Sequence, residues 1–268
     1  MDETRSILRQ SVLLTGAAVV AVVSIFGAYY WYGHRSAAAP AAPAAPPPAV
    51  QPSPANAAPE HPIADRDADH TTPLDQSDAV FIDALSHVSG WNAQILRLLL
   101  PEHLIRHIVA TVDALPRDKL PIAALPTRPV AGTLRVTAQG AGSVIAAANE
   151  RRYEPLVSAV NGLDMAGLAG VYRHFYPLFQ QAYRELGYPK AEFNDRLLEV
   201  IDDLLEAPEP KDAIAVVAPG VMYHYVDADL ESLPAGQKTL VRVGAANEKV
   251  LKQKLTELRK AIADGKAS

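Results

Sequence analysis

Two histidines stand at the spacing with which imidazoles can share a metal ion. His103 and His107 are four residues apart, so on a helix they would lie on one face, as ligand pairs of zinc sites do. A helical wheel places both opposite the apolar stripe of Leu104, Ile108 and Val112, and no suitable third ligand follows nearby. The chain has no cysteine, which excludes disulfides, thiolate zinc sites and a cysteine nucleophile. We interpret the pair as surface histidines and predict neither a metal nor a cofactor.

Carboxylate pairs are a second kind of group that could do chemistry, as the acid and base of a hydrolase. Asp202 and Asp203 are neighbours, and neighbours on a helix point about 100° apart, so they cannot jointly flank one bond without other elements. Glu185 with Asp195 is another such pair. No nucleophile elbow, phosphate loop or dinucleotide fingerprint is present. A solvated helix face explains these acids, which leaves an enzyme unsupported.

Other polar residues are better suited to binding than to reaction. Asn194 falls inside the apolar arc of its predicted helix, where an amide needs partners. We expect it to be the N-cap, with Asp195 near the positive end of the helix dipole; the alternative is a buried polar cluster with Tyr183 or Lys238. Lys238 and Arg242 share a helical face and could hold an anionic group. The alternative is that they form ion pairs that pin helices together, with partners from this set: Asp195, Glu199, Asp202.

Apolar periodicity indicates the helices that carry these residues. We predict helices over 78–99 with a break at Gly90, 101–115, 168–186 with a kink or split at Pro177, 193–206, and a last helix with a leucine seam of Leu251, Leu255, Leu258 and Ile262. Val80 and Phe81 both belong to the first expected core-facing stripe. On the last helix, a basic strip lies away from the seam, and it consists of Lys249, Lys252, Arg259 and Lys260.

Two β-hairpins are predicted among these helices. One pairs residues 132–137 with 143–147 around Gly140-Ala141-Gly142. The other pairs residues 213–218 with 221–226, and Pro219-Gly220 suits the centre of a type II turn. The predicted fold class is therefore mainly α, an α+β domain with one or two short hairpins.

A series of motifs runs through the second half of the chain. In order they are Tyr176-Pro177-Leu178-Phe179-Gln180, Ala182-Tyr183, Glu185-Leu186-Gly187-Tyr188-Pro189, Phe193-Asn194-Asp195-Arg196-Leu197, Val200-Ile201-Asp202, Gly236-Gln237-Lys238 and Arg242. In this combination they resemble the bacterial domain of unknown function 3014 family, over about residues 74–264. The resemblance implies an N-terminal anchor and a proline-rich stalk, but no activity, cofactor or catalytic residue. Pro234 and Val243 depart from the family's usual residues, which leaves any role for that loop open.

The region of resemblance holds our candidates for a binding surface. They are polar or amphipathic side chains that packing alone does not require, and they are Tyr153, Tyr183, Asn194, Arg196, Lys238 and Arg242.

The N-terminus contains a run long enough to cross a membrane. Val12–Tyr32 comprises 21 residues without a charge, which as a helix would span roughly 31 Å, the thickness of a bilayer's hydrocarbon core. A cleaved signal peptide, ending near Ser36-Ala37-Ala38, is the alternative, but its apolar core would be shorter. Arg5 and Arg9 outweigh Arg35 slightly, which favours a cytoplasmic N-terminus.

A proline- and alanine-rich tract follows the apolar run. It cannot bury a core and should be an extended spacer. We therefore divide the chain into a tail (1–11), a transmembrane helix (12–32), a disordered linker (33–73) and one compact, mainly helical domain (74–264).

Composition and layout together limit the functions to be considered. The net charge of −5 gives no indication of nucleic-acid binding. We expect a single-pass inner-membrane protein whose C-terminal domain faces the periplasm and binds another envelope protein or a cell-wall polymer. The alternatives are a tethered, hydrolase-like enzyme acting on an envelope polymer, or the same domain in the cytoplasm.

Overall fold

The computed structural model describes residues 59–63, 68–128, 130, 133–140, 142–219 and 223–264. The apolar run Val12–Tyr32 and most of the proline-rich tract lie outside these ranges. Within them, no helix is both long and apolar enough to cross a membrane.

The described chain is mainly helical, as predicted, with a small antiparallel sheet. Its helices are α1 (Asp78–Ser86), α2 (Ala93–Leu98), α3 (Leu104–Ala114), α4 (Ala148–Asn161), α5 (Met165–His174), α6 (Tyr176–Glu185), α7 (Phe193–Leu205), α8 (Ala228–Ser232), α9 (Ala235–Val243) and α10 (Ala245–Ala263). Its strands are β1 (Val136–Gln139), β2 (Gly142–Ile145), β3 (Ala215–Val217) and β4 (His224–Tyr225).

Helix α3 lies in the core because apolar residues cover most of its circumference. It packs against α6 and α7. Helix α10 forms the second organising element and packs against α4, α5, α7 and α9. Its predicted seam is confirmed, since all four of these side chains are buried: Leu251, Leu255, Leu258 and Ile262.

The predicted break near Gly90 separates α1 from α2. Gly90 has a φ of +83°, and a Cβ there would lie 1.8 Å from the carbonyl oxygen of Gly162, so only glycine allows this close approach. The expectation that Val80 faces the core was wrong, because its side chain is 47% exposed. The buried stripe of α1 consists of Phe81 and Leu85, and Val80 lies on the neighbouring, solvent-facing side.

Pro177 splits the predicted long helix in two. Helix α5 ends at His174, and α6 begins at Tyr176 with Pro177 in its first turn, where a missing N–H group costs no helical hydrogen bond. The apolar face continues across the break, since Phe175 and Leu178 are both buried.

Both predicted hairpins are present, although β1 (Val136–Gln139) lies further along the chain than the predicted 132–137, and the hairpins join into one sheet. Strands β1 and β2 pair, as do β3 and β4, and β2 also pairs with β3, so the strand order is β1-β2-β3-β4. One face of this sheet packs on α9 through Val216, Tyr225 and Val241. Residues 220–222 lie outside the described ranges, so the predicted type II turn stays a prediction.

Candidate functional site

The six candidate residues take part in three separate sets of contacts. Asn194 lies at the start of α7 beside the N-terminal residues of the domain. Tyr183 and Arg196 lie near the buried Asp113. Tyr153, Lys238 and Arg242 lie around α9 and the sheet. The contacts described below do not join them into one binding site.

Asn194 holds the chain that enters the domain. Its side chain is buried; Nδ2 donates to the carbonyl oxygen of His61 at 2.7 Å, and Oδ1 accepts from the Tyr172 hydroxyl at 3.2 Å. The N-cap position of α7 belongs to Glu192, so the expectation that Asn194 caps the helix was wrong. The alternative partners, Tyr183 and Lys238, were also wrong, because the amide is satisfied by Tyr172 and by backbone from outside the predicted domain.

Asp195 binds the same segment from the first turn of α7, where its charge suits the helix dipole. Its carboxylate accepts the backbone N–H groups of Glu60 at 3.1 Å and His61 at 2.8 Å. Ile63 packs against the main core. We call residues 59–63 the strap. Because the strap is hydrogen-bonded to α7, ordered contacts begin N-terminal to the boundary that we placed at Leu74.

An acidic groove of about 410 Å³ runs beside the strap along α7. Its lining residues are Glu60, His61, Asp195, Leu198, Glu199, Asp202, Asp203 and Glu206. The described residues contain no group of three or more His, Asp or Glu side chains placed to hold a metal ion.

Asp202 and Asp203, proposed as a possible carboxylate pair, hold two different helices. Asp202 accepts from Arg259 of α10 through both oxygens, at 2.5 and 2.7 Å, and this interaction lowers the pKa of Asp202. Asp203 accepts from Gln237 of α9 at 3.0 Å, and burial raises the pKa of Asp203. We expected both carboxylates to lie on a solvated face. Instead, each one binds a side chain of a neighbouring helix.

His103 and His107 differ in their surroundings. His103 is exposed and precedes α3 in the left-handed conformation, with a φ of 52°. His107 is half-buried, so the expectation that both lie fully in solvent was wrong for this residue, and burial lowers the pKa of His107. The start of α3 shifts to Leu104 because the Asp78 carboxylate accepts the N–H groups of both His103 and Leu104.

Arg196 belongs to an ion-pair network centred on Asp113. The Asp113 side chain is only 3% exposed. Its Oδ1 lies 3.4 Å from Arg196 Nε, and its Oδ2 binds the Arg117 guanidinium and accepts from the Tyr188 hydroxyl at 3.2 Å. Arg196 also donates to the backbone carbonyl of Asp113 at 3.1 Å and to Glu199 at 2.9 Å. The network ties α3 to α7 and to the turn before it.

Tyr183 covers this network with its ring. It stacks on Tyr188, with ring centroids 4.5 Å apart and an angle of 19° between the planes. Burial, together with the negative charge of Asp113, raises the pKa of Tyr183. A neutral phenol over a paired carboxylate stabilises packing and offers no proton at ordinary pH, so we interpret this group as structural.

Lys238 and Arg242 contact the sheet side of α9. Lys238 Nζ lies 3.9 Å from Glu231 Oε1, and the Arg242 guanidinium lies 4.8 Å from the centroid of the Tyr225 ring. Tyr225 donates through its hydroxyl to the carbonyl oxygen of Lys238 at 3.0 Å. The expected ion-pair partners were wrong, because other groups bind them: the strap binds Asp195, Arg259 binds Asp202 and Arg196 binds Glu199.

Tyr153 adds an aromatic group to the same region. Its side chain is buried, and the Arg152 guanidinium lies 5.2 Å from its ring centroid. Burial raises the pKa of Tyr153, and the positive charges of Arg152 and Arg242 oppose that shift. Two guanidinium groups therefore act on one phenol, which makes this the most cationic of the three sets of candidate residues.

The basic strip expected on α10 is only partly free to meet a ligand. Lys252 donates to the carbonyl oxygen of Ala207 at 2.5 Å, and Arg259 pairs with Asp202. Lys249 and Lys260 are exposed. The strip is therefore interrupted by cations that hold α10 to α7.

Asp113 is the principal residue that sequence reasoning missed. It lies four residues after Val109 and so falls on the apolar side of α3. An acid in that position requires partners when buried, and Arg196 in the motif Phe193-Asn194-Asp195-Arg196-Leu197 supplies one. That mismatch between charge and helical face was the available signal.

These contacts define a mainly helical domain whose buried polar groups hold its elements together. The sequence model of the family described as "Protein of unknown function (DUF3014)" matches residues 104–259, more than half of the chain. The chain belongs to this family. The matched range contains Asp113, Tyr183 and Arg196, so it includes the network that connects α3 to α7. No curated protein and no solved structure shows a significant match.

Proposed function

We propose that the protein is a single-pass inner-membrane protein that displays its helical domain in the bacterial periplasm. There the domain serves as a binding or scaffolding module for another envelope protein or for a cell-wall polymer. The anchor is the apolar run Val12–Tyr32, and the proline-rich tract gives the domain reach.

The observation that carries this proposal is the attachment of the strap to α7. Three hydrogen bonds, from Glu60 N, His61 N and to His61 O, join the end of the tether to Asp195 and Asn194. A tether held in this way leaves the domain at a fixed point beside α7. Such control benefits a scaffold, which must present one surface to a partner, more than it benefits an enzyme on diffusible substrates.

The surface with the strongest case for binding is the cationic region around α9. Lys238 is paired only at 3.9 Å and keeps 16% of its side chain exposed. Arg242 and Tyr153 lie beside it in the same set of contacts. A guanidinium and an ammonium on one helical face suit an anionic group of the partner.

A crosslinking pulldown from native membranes tests the proposal. We expect the wild-type chain to recover a defined envelope partner, and the double variant Lys238→Ala/Arg242→Ala to lose it. The matched control is Lys249→Ala/Lys260→Ala, which removes two exposed cations from α10 and should retain the partner.

A thermal melt of each variant separates binding from folding. Lys238→Ala alone should melt close to wild type, because its ion pair is long and partly exposed. Arg242→Ala removes a contact with the Tyr225 ring and should lower the melting temperature further, so its loss of partner is compared with its own melt. A large loss of stability without a separate binding defect would show that these cations are scaffolding. Equal recovery of the partner by all variants would place the binding surface elsewhere.

A further inference from the structure

The sheet has one closed edge and one open edge. At β4, the Tyr225 N–H donates to Glu231 Oε2 at 2.8 Å, so a carboxylate from α8 covers the edge. At β1, no described residue hydrogen-bonds to the outward backbone groups of Val136 or Ala138.

The register identifies these outward groups. The Ile145 N–H donates to the Ile214 carbonyl oxygen, so the backbone N–H and carbonyl groups of the odd-numbered residues of β2 point toward β3. The backbone groups of Val144 point toward β1. Val144 lies opposite Thr137, and Gly142 lies opposite Gln139. Thr137 and Gln139 therefore use their backbone groups within the sheet. Val136 and Ala138 direct an N–H and a carbonyl each toward the open edge.

Strand β1 is only four residues long, but it lacks two other features with which proteins usually block strand addition. Strand β1 contains no charge and no proline. On the outer face of the sheet, Val217 of β3 is 50% exposed and Val226 after β4 is 62% exposed, and the charged Arg135 directly precedes β1. An open, uncharged edge is a template for another extended segment.

We propose that β1 pairs with β1 of a second copy of this chain, antiparallel, with the two-fold axis at Thr137. In this register Val136 faces Ala138 of the second copy, so all outward groups of both strands are paired. A shift by two residues in either direction leaves some of them unpaired, and a shift by one residue sets inward groups against the edge.

Charge does not oppose the same partner. In the proposed register Arg135 lies opposite Gln139 of the second copy, on the outer face that also carries Thr137. Within residues 135–139 of the two strands, no like charges meet. A second copy of this chain can therefore pair with the open edge, and no other protein is needed to explain it.

The small area of the contact between the two β1 strands determines the conditions under which it forms. Four residues per strand bury far less than the roughly 1,200 Å² of a stable interface. The pairing should be weak in dilute solution and stronger when chains are confined to one membrane. Only this strengthening rests on the proposed anchor; the register does not.

Disulfide formation by Thr137→Cys in the full-length chain tests the pairing, since the chain has no other cysteine. Across the axis, two residues at 137 form a non-hydrogen-bonded pair with Cβ atoms about 5 Å apart, close to disulfide distance. The matched control is Gln139→Cys, which is also exposed and lies on the same face, but whose copies would lie roughly 13 Å apart. Mild oxidation in native membranes should yield several-fold more dimer for Thr137→Cys.

Second substitutions in the Thr137→Cys chain test the register. Gln139→Glu should raise the dimer yield, because it faces Arg135 of the second copy, and Gln139→Lys should lower it. Ala138→Pro should also lower it, since that N–H points outward and is not needed within the sheet. Equal dimer from Thr137→Cys and Gln139→Cys, no response to the charge changes, or crosslinking to a different protein would overturn the proposal. Maleimide labelling of a cysteine in the tether tests the proposed membrane anchor separately from the pairing of β1.

Discussion

Replacement of Glu248 by glutamine should make the domain more stable at high pH and should remove a pH dependence. Glu248 has 0% exposure, and its carboxylate oxygens receive no well-aligned hydrogen bond. The nearest cation is Lys252, whose Nζ lies 3.2 Å from Oε1 and also binds Glu209. Burial raises the pKa of Glu248 from 4.5 to about 7.

The direction of the effect follows from this raised pKa. An unfolded chain ionises Glu248 near pH 4.5, whereas the folded chain keeps it protonated up to about pH 7. The contribution of protonated Glu248 to the free energy of unfolding is therefore complete below pH 4.5, and it is lost as the pH rises to about 7. The rise in the pKa of Glu248 from 4.5 to about 7 corresponds to roughly 3 kcal/mol of stability, at about 1.4 kcal/mol for each pH unit.

Glutamine is neutral at every pH, so the variant should not lose this stability. The free energy of unfolding of Glu248→Gln minus that of wild type should rise by roughly 3 kcal/mol between pH 4.5 and 8. Urea unfolding of a fragment that starts at residue 59 measures it. Glu154→Gln, an exposed carboxylate on α4, is the control and should change by less than about 0.5 kcal/mol at each pH. A flat difference for Glu248→Gln would refute the reasoning.

Three further results are expected. Asp113→Ala should cost roughly 3 kcal/mol of unfolding free energy, because it removes the buried carboxylate that Arg117, Arg196 and Tyr188 share. Arg259→Ala, in a half-exposed pair, should cost about 1 kcal/mol or less, and equal losses in denaturant melts would contradict this difference. Asp195→Ala should speed hydrogen exchange at the Glu60 and His61 amides while the core stays protected, and unchanged exchange would mean that the strap is held by other contacts. Fragments from residue 59 and from residue 74 should both be soluble and helical by circular dichroism, with the longer one more stable; an insoluble longer fragment would show that the tether is part of the fold.

Local patterns predicted many elements of this fold, but not α4 (Ala148–Asn161) or α8 (Ala228–Ser232). The spacing of apolar residues predicted the α10 seam, and the position of Pro177 predicted the division between α5 and α6, because both depend on residues close in sequence. The hairpins were predicted for the same reason. The pairing of β2 with β3 was not, since it joins strands about 70 residues apart and no turn specifies it.

Side-chain partners from distant segments were the least predictable part. Asn194 was correctly placed in an apolar arc, but its partner is the backbone of His61, 133 residues earlier in a segment that composition assigns to the linker. Lys238 was correctly placed with Arg242 on one helical face, but the acid near it is Glu231, not an acid of α7. A helical wheel gives the direction of a side chain and not the element that it meets.

The most direct test of the membrane-anchored account is the labelling of a single cysteine in the tether. Ala57→Cys would be the only thiol in the chain. If the domain is displayed in the periplasm, a membrane-impermeant maleimide should label this thiol in intact cells whose outer membrane has been permeabilised, and the label should fractionate with membranes. Labelling only after lysis of the inner membrane would contradict the orientation, and recovery of the labelled chain in the soluble fraction would contradict the anchor.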